Sequence, residues 1–366
     1  MDTSDSNISF DEDGVCDHCN DFKNNIEPEW DTGDNGKTQL EKLVRKIKKS
    51  GQKHDFDCLL GLSGGVDSSY MLHLAVNEFG LRPLVFHVDG GWNSELAVHN
   101  INVMIEKLDL DLFTEVINWE EMKDFQLAYF KSGVPHIDLP QDHAFIATLY
   151  KFAEKNKIKY ILNGGNISTE CVRNPMEWLY YGTDMAQIRD IRNRFSTNKM
   201  KSYPFSSIFK HKIYLRYIKG VKVIKLLNCR PYIKSEALKL LEEEYGWKPY
   251  PQKHFESRFT KFFEGFWLPE RFGFDTRRVQ YSSLILTGQM SRSEALKRLD
   301  KPAYNPDEID EEFNFIATKL EITPDMLRGY FEMQKKFYWD YNNWAGVFNF
   351  GAKVLKALGV ESSIKR

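Results

Sequence analysis

The chain has 366 residues, 42% of them hydrophobic, enough to bury a sizeable core in one large or two modest domains. Fifty basic and fifty-two acidic residues leave a formal charge of -2, so no global field draws the protein to nucleic acid or to an anionic membrane. Five scattered cysteines exclude a disulfide framework and agree with a reducing compartment. The start, "MDTSDSNISFDEDG", is acidic and polar where a secretory leader is basic and then apolar, and no segment approaches the length of a membrane span. A cytoplasmic protein is expected. Cys16-Asp17-His18-Cys19 comes next, a Cys-x-x-Cys spacing that by itself leaves a zinc-binding pair and an ordinary loop both open, with His18 read as an exposed loop residue. Residues 20 to 50 read as a polar linker running into a basic helix, "TQLEKLVRKIKKS".

From there to about residue 166 strands and helices alternate. Phe56, Cys58, Leu59, Leu60 and Leu62 suit a buried parallel strand. Met71, Leu72, Ala75, Val76 and Phe79 recur at helical intervals up to Gly80, a helix stop. "PLVFHV" reads as a strand, "SELAVHNINVMIEKL" as a helix and "LFTEVI" as a strand; helices around 120 to 131 and 142 to 155 precede the strand "KYILNGG". Such alternation predicts an α/β fold with a doubly wound parallel sheet, its ligands in the crevice beyond the carboxyl ends of the strands. The expected division is a Cys-x-x-Cys segment and linker over 1–50, a nucleotide-binding domain over 51–176, and a mostly helical substrate or partner region over 177–366.

Three glycine-rich loops follow strands: Ser63 to Ser69, "VDGGWNSE" and "NGGNISTECVRNP". In the first, a strand-to-helix junction exposes backbone N–H groups and the positive end of a helix dipole, which favours an anion. Gly64 and Gly65 permit close approach, and Ser63, Ser68 and Ser69 offer hydroxyl donors, so phosphate is the expected ligand. The common nucleotide loop ends in lysine and a hydroxyl residue. Here Asp67 stands instead, and a carboxylate beside phosphates implies a magnesium ion between them. At the neighbouring loops Val88, Asp89, Gly90 and Gly164 are placed near the nucleotide, and Glu170 as a second magnesium ligand beside Asp67.

In "KHFESRFTKFFEGFWLPERFG", read as one helix, Phe255, Phe259, Phe262, Phe263 and Phe266 make a core stripe while His254, Arg258 and Lys261 align on another face. Lys253 and Lys261 are the candidates to neutralise a leaving pyrophosphate.

Ser63-Gly64-Gly65-Val66-Asp67-Ser68 resembles the SGGxDS signature of the PP-loop ATP pyrophosphatases, a family of the HUP-like α/β fold that binds ATP with Mg2+ and adenylates a substrate oxygen. Over nearly its full length the sequence is also similar to the N-acetyl sugar amidotransferases of the WbpG and PseA type. That resemblance rests on "MDTSDSNISFDEDGVCDHC", "SGGVDSSY", "VDGGWNSELAVHNI", "DLPQDHAFIATLY", "KHFESRFTKFF" and "LPERFGFDTRRVQYSSLILTGQMSRSEAL". It implies conversion of an acetamido group, on a UDP-sugar of surface-polysaccharide or flagellar-sugar synthesis, to an acetamidino group, with ammonia displacing AMP. Asp142, His143, Arg173, Asn174 and Arg258 are carried as substrate contacts. No cysteine sits in a glycine-flanked elbow, so the chain lacks glutaminase parts of its own. The resemblance implies ammonia from partners like the glutaminase and cyclase subunits of imidazole glycerol phosphate synthase, with no nucleic acid and no membrane. In that family a second Cys-x-x-Cys lies upstream of "MDTSD" and completes a zinc site with Cys16 and Cys19; here the sequence begins at Met1, so the expectation is a late start or an internal methionine. A PP-loop tRNA thiolase is the alternative enzyme, and a nucleotide-binding scaffold without catalysis the non-enzymatic one.

Overall fold

The computed structural model describes residues 1–357. Its centre is a five-stranded, all-parallel sheet of β1 (Cys58–Gly61), β2 (Pro83–Asp89), β3 (Leu112–Val116), β4 (Tyr160–Leu162) and β5 (Lys222–Ile224), in the order β3-β2-β1-β4-β5. Successive residues of a strand point to opposite faces, and here both faces are covered. Cys58, Leu60, Val85 and Leu162 pack with Ile47, Leu72, Met104 and Leu241 on one side, whereas Leu59, Phe86 and Ile161 pack with Ala153 and Leu215 on the other. Apolar residues at consecutive positions of β1 are therefore required, and the sheet is doubly wound as the alternation implied.

Strand order reverses at β1, which lies between β2 and β4, so the crevice expected at a topological switch point opens beyond Gly61. The fifth strand comes from 222–224, and the sheet thus extends past the boundary expected at residue 176.

Local departures from the expected elements have clear causes. Helix Val66–His73 continues as a wider turn, Leu74–Glu78, before Gly80 at φ 55°. The stretch read as a linker holds short helical turns between Asp17 and Glu29, where Phe22 is buried against Trp178, Val172 and Val279, and the basic helix expected after it forms over Asp34–Gly51. The phenylalanine stripe is core as expected: Phe259, Phe262 and Phe263 are buried with Trp92, Phe130 and Trp267. It is not one helix from residue 253, however. His254 has φ 67°, and helix Arg258–Phe262 starts only after Ser257, whose Oγ accepts the Thr260 N–H at 3.2 Å. Among the described residues no helix is long and apolar enough to cross a membrane.

Candidate active site

The loop Ser63–Ser69 joins β1 to helix Val66–His73. Gly64 has φ 85°, a left-handed conformation that suits glycine, and an added Cβ would also meet the Ala97 carbonyl at 2.9 Å. Ser63 and Ser68 fix the turn: their hydroxyls lie 3.2 Å apart, Ser63 Oγ accepts the Gly65 N–H, and Ser68 Oγ donates to the Gly65 carbonyl. The Ser69 N–H makes the helix's first backbone bond, to Gly65 O at 3.1 Å. The N–H groups of Val66, Asp67 and Ser68 precede it, at the end of a dipole that favours an anion.

Asp67 projects from this first turn and is held by three distant residues. Its Oδ1 accepts from Tyr232 Oη at 2.6 Å and Asn166 Nδ2 at 3.3 Å, and its Oδ2 lies 3.5 Å from Lys253 Nζ. The same ammonium is 2.5 Å from Glu170 Oε1. Burial works against the Lys253 charge, but the two carboxylates outweigh it and raise its pKa. Burial likewise opposes ionisation of Glu170, and Lys253 more than reverses that, holding the carboxyl below its ordinary value.

These groups line a cleft of about 680 Å3. One wall is apolar, built by Phe86, Val88, Phe145 and Leu149 beyond the carboxyl ends of the strands; the other carries Lys234, Gln280, Gln289 and Arg298. Burial depresses the Lys234 pKa. Glu256 stands over the loop, its Oε1 2.7 Å from where a Cβ on Gly65 would be, and burial raises its carboxyl. It is placed there by pairing between two segments: Ser94 N–H donates to Glu256 O at 3.0 Å, Arg258 N–H to Trp92 O at 2.8 Å, and Asn93 bridges Ser257. Beside it, His254 Nδ1 meets Glu264 Oε1 at 2.9 Å; burial opposes its protonation, yet Glu264 prevails and lifts its pKa to about 9.

Of the residues singled out in the sequence, Ser63, Gly65, Val66, Asp67, Ser68, Val88, Gly164, Glu170 and Lys253 meet at the cleft. Ser69 does not: it is fully buried, accepting from Trp247 Nε1 at 3.2 Å, because it stands one turn below Gly65. Gly64 turns toward Ala97, Asp89 accepts the Gly91 N–H at 2.7 Å, and Gly90 packs against Gln141 and Phe145. His143 is buried between Gly182 O at 2.6 Å and the Ser206 N–H at 3.1 Å, and Asp142 pairs with His136 at 3.2 Å. Arg173 is exposed and Asn174 half-buried, both outside the cleft lining. Arg258 and Lys261 point away from it. Arg258 Nε contacts Glu312 at 2.9 Å with its guanidinium over Phe315, and Lys261 meets Glu312 at 3.2 Å and Glu308 at 3.8 Å. With helix Arg258–Phe262 beginning five residues later than the helix read from Lys253, the shared face with His254 disappears. Sequence reasoning missed Asn166, Tyr232, Lys234 and Glu256. Lys234 opens the amphipathic helix Lys234–Tyr245, a weak signal, and Asn166 lies within the nominated loop "NGGNISTECVRNP"; nothing local marked Tyr232 or Glu256.

Two metal expectations come out differently. Asp67 and Glu170 offer the hard oxygen donors that magnesium takes alongside phosphate and water, so the donor set fits, with Lys253 between them as the present cation. At the amino end Cys16 and Cys19 have their sulfurs 3.3 Å apart, whereas His18 is committed to Asp5 at 2.8 Å. A closed structural zinc site needs four ligands, and among the described residues no cluster of three or more candidate side chains forms. The zinc expectation is not supported.

A search of curated proteins finds no match to the chain. Three solved structures are similar over long stretches. NMN synthetase from Francisella tularensis is 15% identical, over 60% of this chain and 98% of that one, with a TM-score of 0.30. The NH3-dependent NAD synthetase from Campylobacter jejuni subsp. jejuni is 14% identical over 60% and 99%, at 0.30. The U34-tRNA thiolase NcsA from Methanococcus maripaludis is 14% identical over 83% and 82%, at 0.31. Residues 256–355 match the family described as LPS biosynthesis protein WbpG-like, C-terminal domain. The segment that sets Glu256 over the loop and builds the aromatic core behind it is thus similar to a WbpG-like C-terminal domain, in line with the resemblance read from the sequence.

Proposed function

We propose that the protein is an ATP-dependent amidotransferase that converts the acetamido group of a nucleotide-linked sugar to an acetamidino group. The observation that carries this reading is the Ser63–Ser69 loop at the switch point, its first-turn amides beside Asp67, Glu170 and Lys253 in one cleft. ATP would lie with its phosphates on the loop and its nucleoside along Phe86, Val88 and Leu149. Magnesium, held by Asp67 and Glu170, would supply charge neutralisation there when bound. The cleft's volume falls within the range of small-molecule sites and its second wall leaves room for an acceptor.

The acceptor's amide oxygen attacks the α-phosphorus and pyrophosphate leaves, giving an imidoyl adenylate. Ammonia then adds to the imidoyl carbon, AMP departs with the former amide oxygen, and the product is the amidinium. Lys253 and Lys234 stabilise charge on the departing pyrophosphate, the task the sequence had assigned to Lys253 and Lys261. No protein nucleophile is required, and no cysteine lines the cleft: Cys58 and Cys171 are both buried. That composition disfavours the thiolase and calls for ammonia from outside, for which glutaminase and cyclase-like partners remain the proposed source.

The test is mass spectrometry of the protein with ATP, magnesium, ammonium and a panel of UDP-linked acetamido sugars. Exchange of oxygen for NH lowers one sugar's mass by about one unit, with AMP formed in equal amount. AMP formation with tRNA and with none of the sugars would transfer the assignment to the thiolase.

A further inference from the structure

The near-zero charge of the whole chain conceals a strong local imbalance. From Ile191 to Ser235, 45 positions, the sequence holds 12 lysines and arginines and no aspartate or glutamate. At the middle of this stretch lies the wide helix Lys210–Ile218, which leads into the edge strand β5. Its inner face is secured: Leu215 is buried with Leu59, Phe86 and Ile161, and His211 stacks on Tyr150 with ring centres 4.4 Å apart.

The outer face is unusual. Phe209, Ile213 and Tyr217 follow one another at four-residue steps, about one turn of a helix this wide, and with Ile218 they are 47, 52, 66 and 70% exposed. Single exposed apolar residues need no explanation, but four within ten positions do. Cations flank the stripe. Lys210 and Lys219 share one carboxylate, Glu154, at 3.6 and 3.9 Å, and the Arg216 guanidinium lies 5.5 Å from the Tyr217 ring centre. Phe209 in turn contacts Trp344, 5.7 Å between rings, at the start of helix Ala345–Ala357, where Val347 and Phe350 are also exposed. None of these residues lines the cleft.

We propose that this face docks the protein on the surface of an anionic lipid bilayer, the apolar stripe seated at the headgroup boundary and the cations on lipid phosphates. Charge complementarity selects an anionic surface. The aliphatic Ile213 and Ile218 select lipid over nucleic acid, whose bases reward aromatic and cationic contacts but not protruding isoleucines. Docking here spans nothing and leaves the cleft free to exchange substrates.

The experiment is sedimentation of the full chain with vesicles of phosphatidylcholine alone or mixed with phosphatidylglycerol, at low and high salt. Pelleting is expected with the phosphatidylglycerol mixture only, and is lost at high salt. The variant I213S/Y217S/I218S and the variant R216E/K219E should each lose pelleting at least about tenfold with an unchanged melting temperature. If the triple variant melts low, Ile218→Ser alone, the most exposed position, serves in its place. Absence of pelleting at low salt would overturn the proposal. So would pelleting that survives the serine substitutions, which would mark a purely electrostatic surface for nucleic acid or an acidic protein.

Discussion

Gly164→Ala adds one methyl group at the point where β4 meets the phosphate loop. A Cβ at that position would lie 2.6 Å from the Asp67 carbonyl carbon and oxygen and 2.8 Å from the Ser68 nitrogen. All three are backbone atoms of the helix's first turn, so no side chain can swing aside. Reaching ordinary contact at 3.4 Å requires the two segments to part by about 0.8 Å. Overpacking of this kind costs about 1–3 kcal/mol of stability. Its effect on chemistry should be larger, since a misplacement of about 1 Å in a reacting geometry costs about 100-fold. The expected outcome is a folded protein, melting several degrees lower, whose ATP/pyrophosphate exchange falls about 100-fold. Gly165→Ala is the control. Its Cβ would meet only side-chain ends, Asn163 Oδ1 at 2.7 Å with Glu170 Oε2 and Lys225 Nζ at 3.2 Å, so its loss should be far smaller. Full exchange by Gly164→Ala would show that the first turn is not where the phosphates are held.

Four further outcomes are expected. Asp67→Asn keeps an acceptor for Tyr232 but loses the charge, and AMP formation should fall about 100-fold or more with the melting temperature little changed. Lys253→Met leaves Asp67 and Glu170 without their cation. A carboxyl held below its ordinary value stabilises the fold above its unfolded pKa, so this variant's melting deficit should be full at neutral pH and close as pH falls below about 4.5, in a series of melts. His254→Gln has the opposite sign: a raised histidine stabilises below its ordinary 6.5, and the wild type's advantage should vanish as pH rises through about 9. Lys261→Ala removes a surface pair with Glu308 and Glu312, and should change turnover less than about threefold and stability by less than about 1 kcal/mol in a chemical denaturation series.

The parts legible in the sequence are those with local grammar. Cys58 to Leu62 announces a strand buried on both faces, and Ser63 to Ser68 a loop that meets an anion, because both signals lie within a few residues of one another. Ser69 was misread within the same stretch although helical geometry, one turn below Gly65, would have turned it inward. The cation line through His254, Arg258 and Lys261 failed for a different reason. A continuous 3.6-residue phase was assumed across Ser257, a helix cap, and across a left-handed His254. Tyr232 and Glu256 carried no readable sign of their role and Lys234 only a weak one, since each reaches the loop through tertiary packing. The net charge, an average over 366 residues, also hides the basic stretch from Ile191 to Ser235.

Asp67 takes its restraints from Asn166, Tyr232 and Lys253, that is, 99, 165 and 186 positions further along the chain. On the ribosome the loop therefore emerges long before the tyrosine and lysine that set its carboxylate. A chain cut short before residue 232 would own the glycines and serines of the loop but neither of those partners. The phosphate loop and the groups that hold its carboxylate are thus separate in the order of synthesis and join only when the chain packs past residue 253.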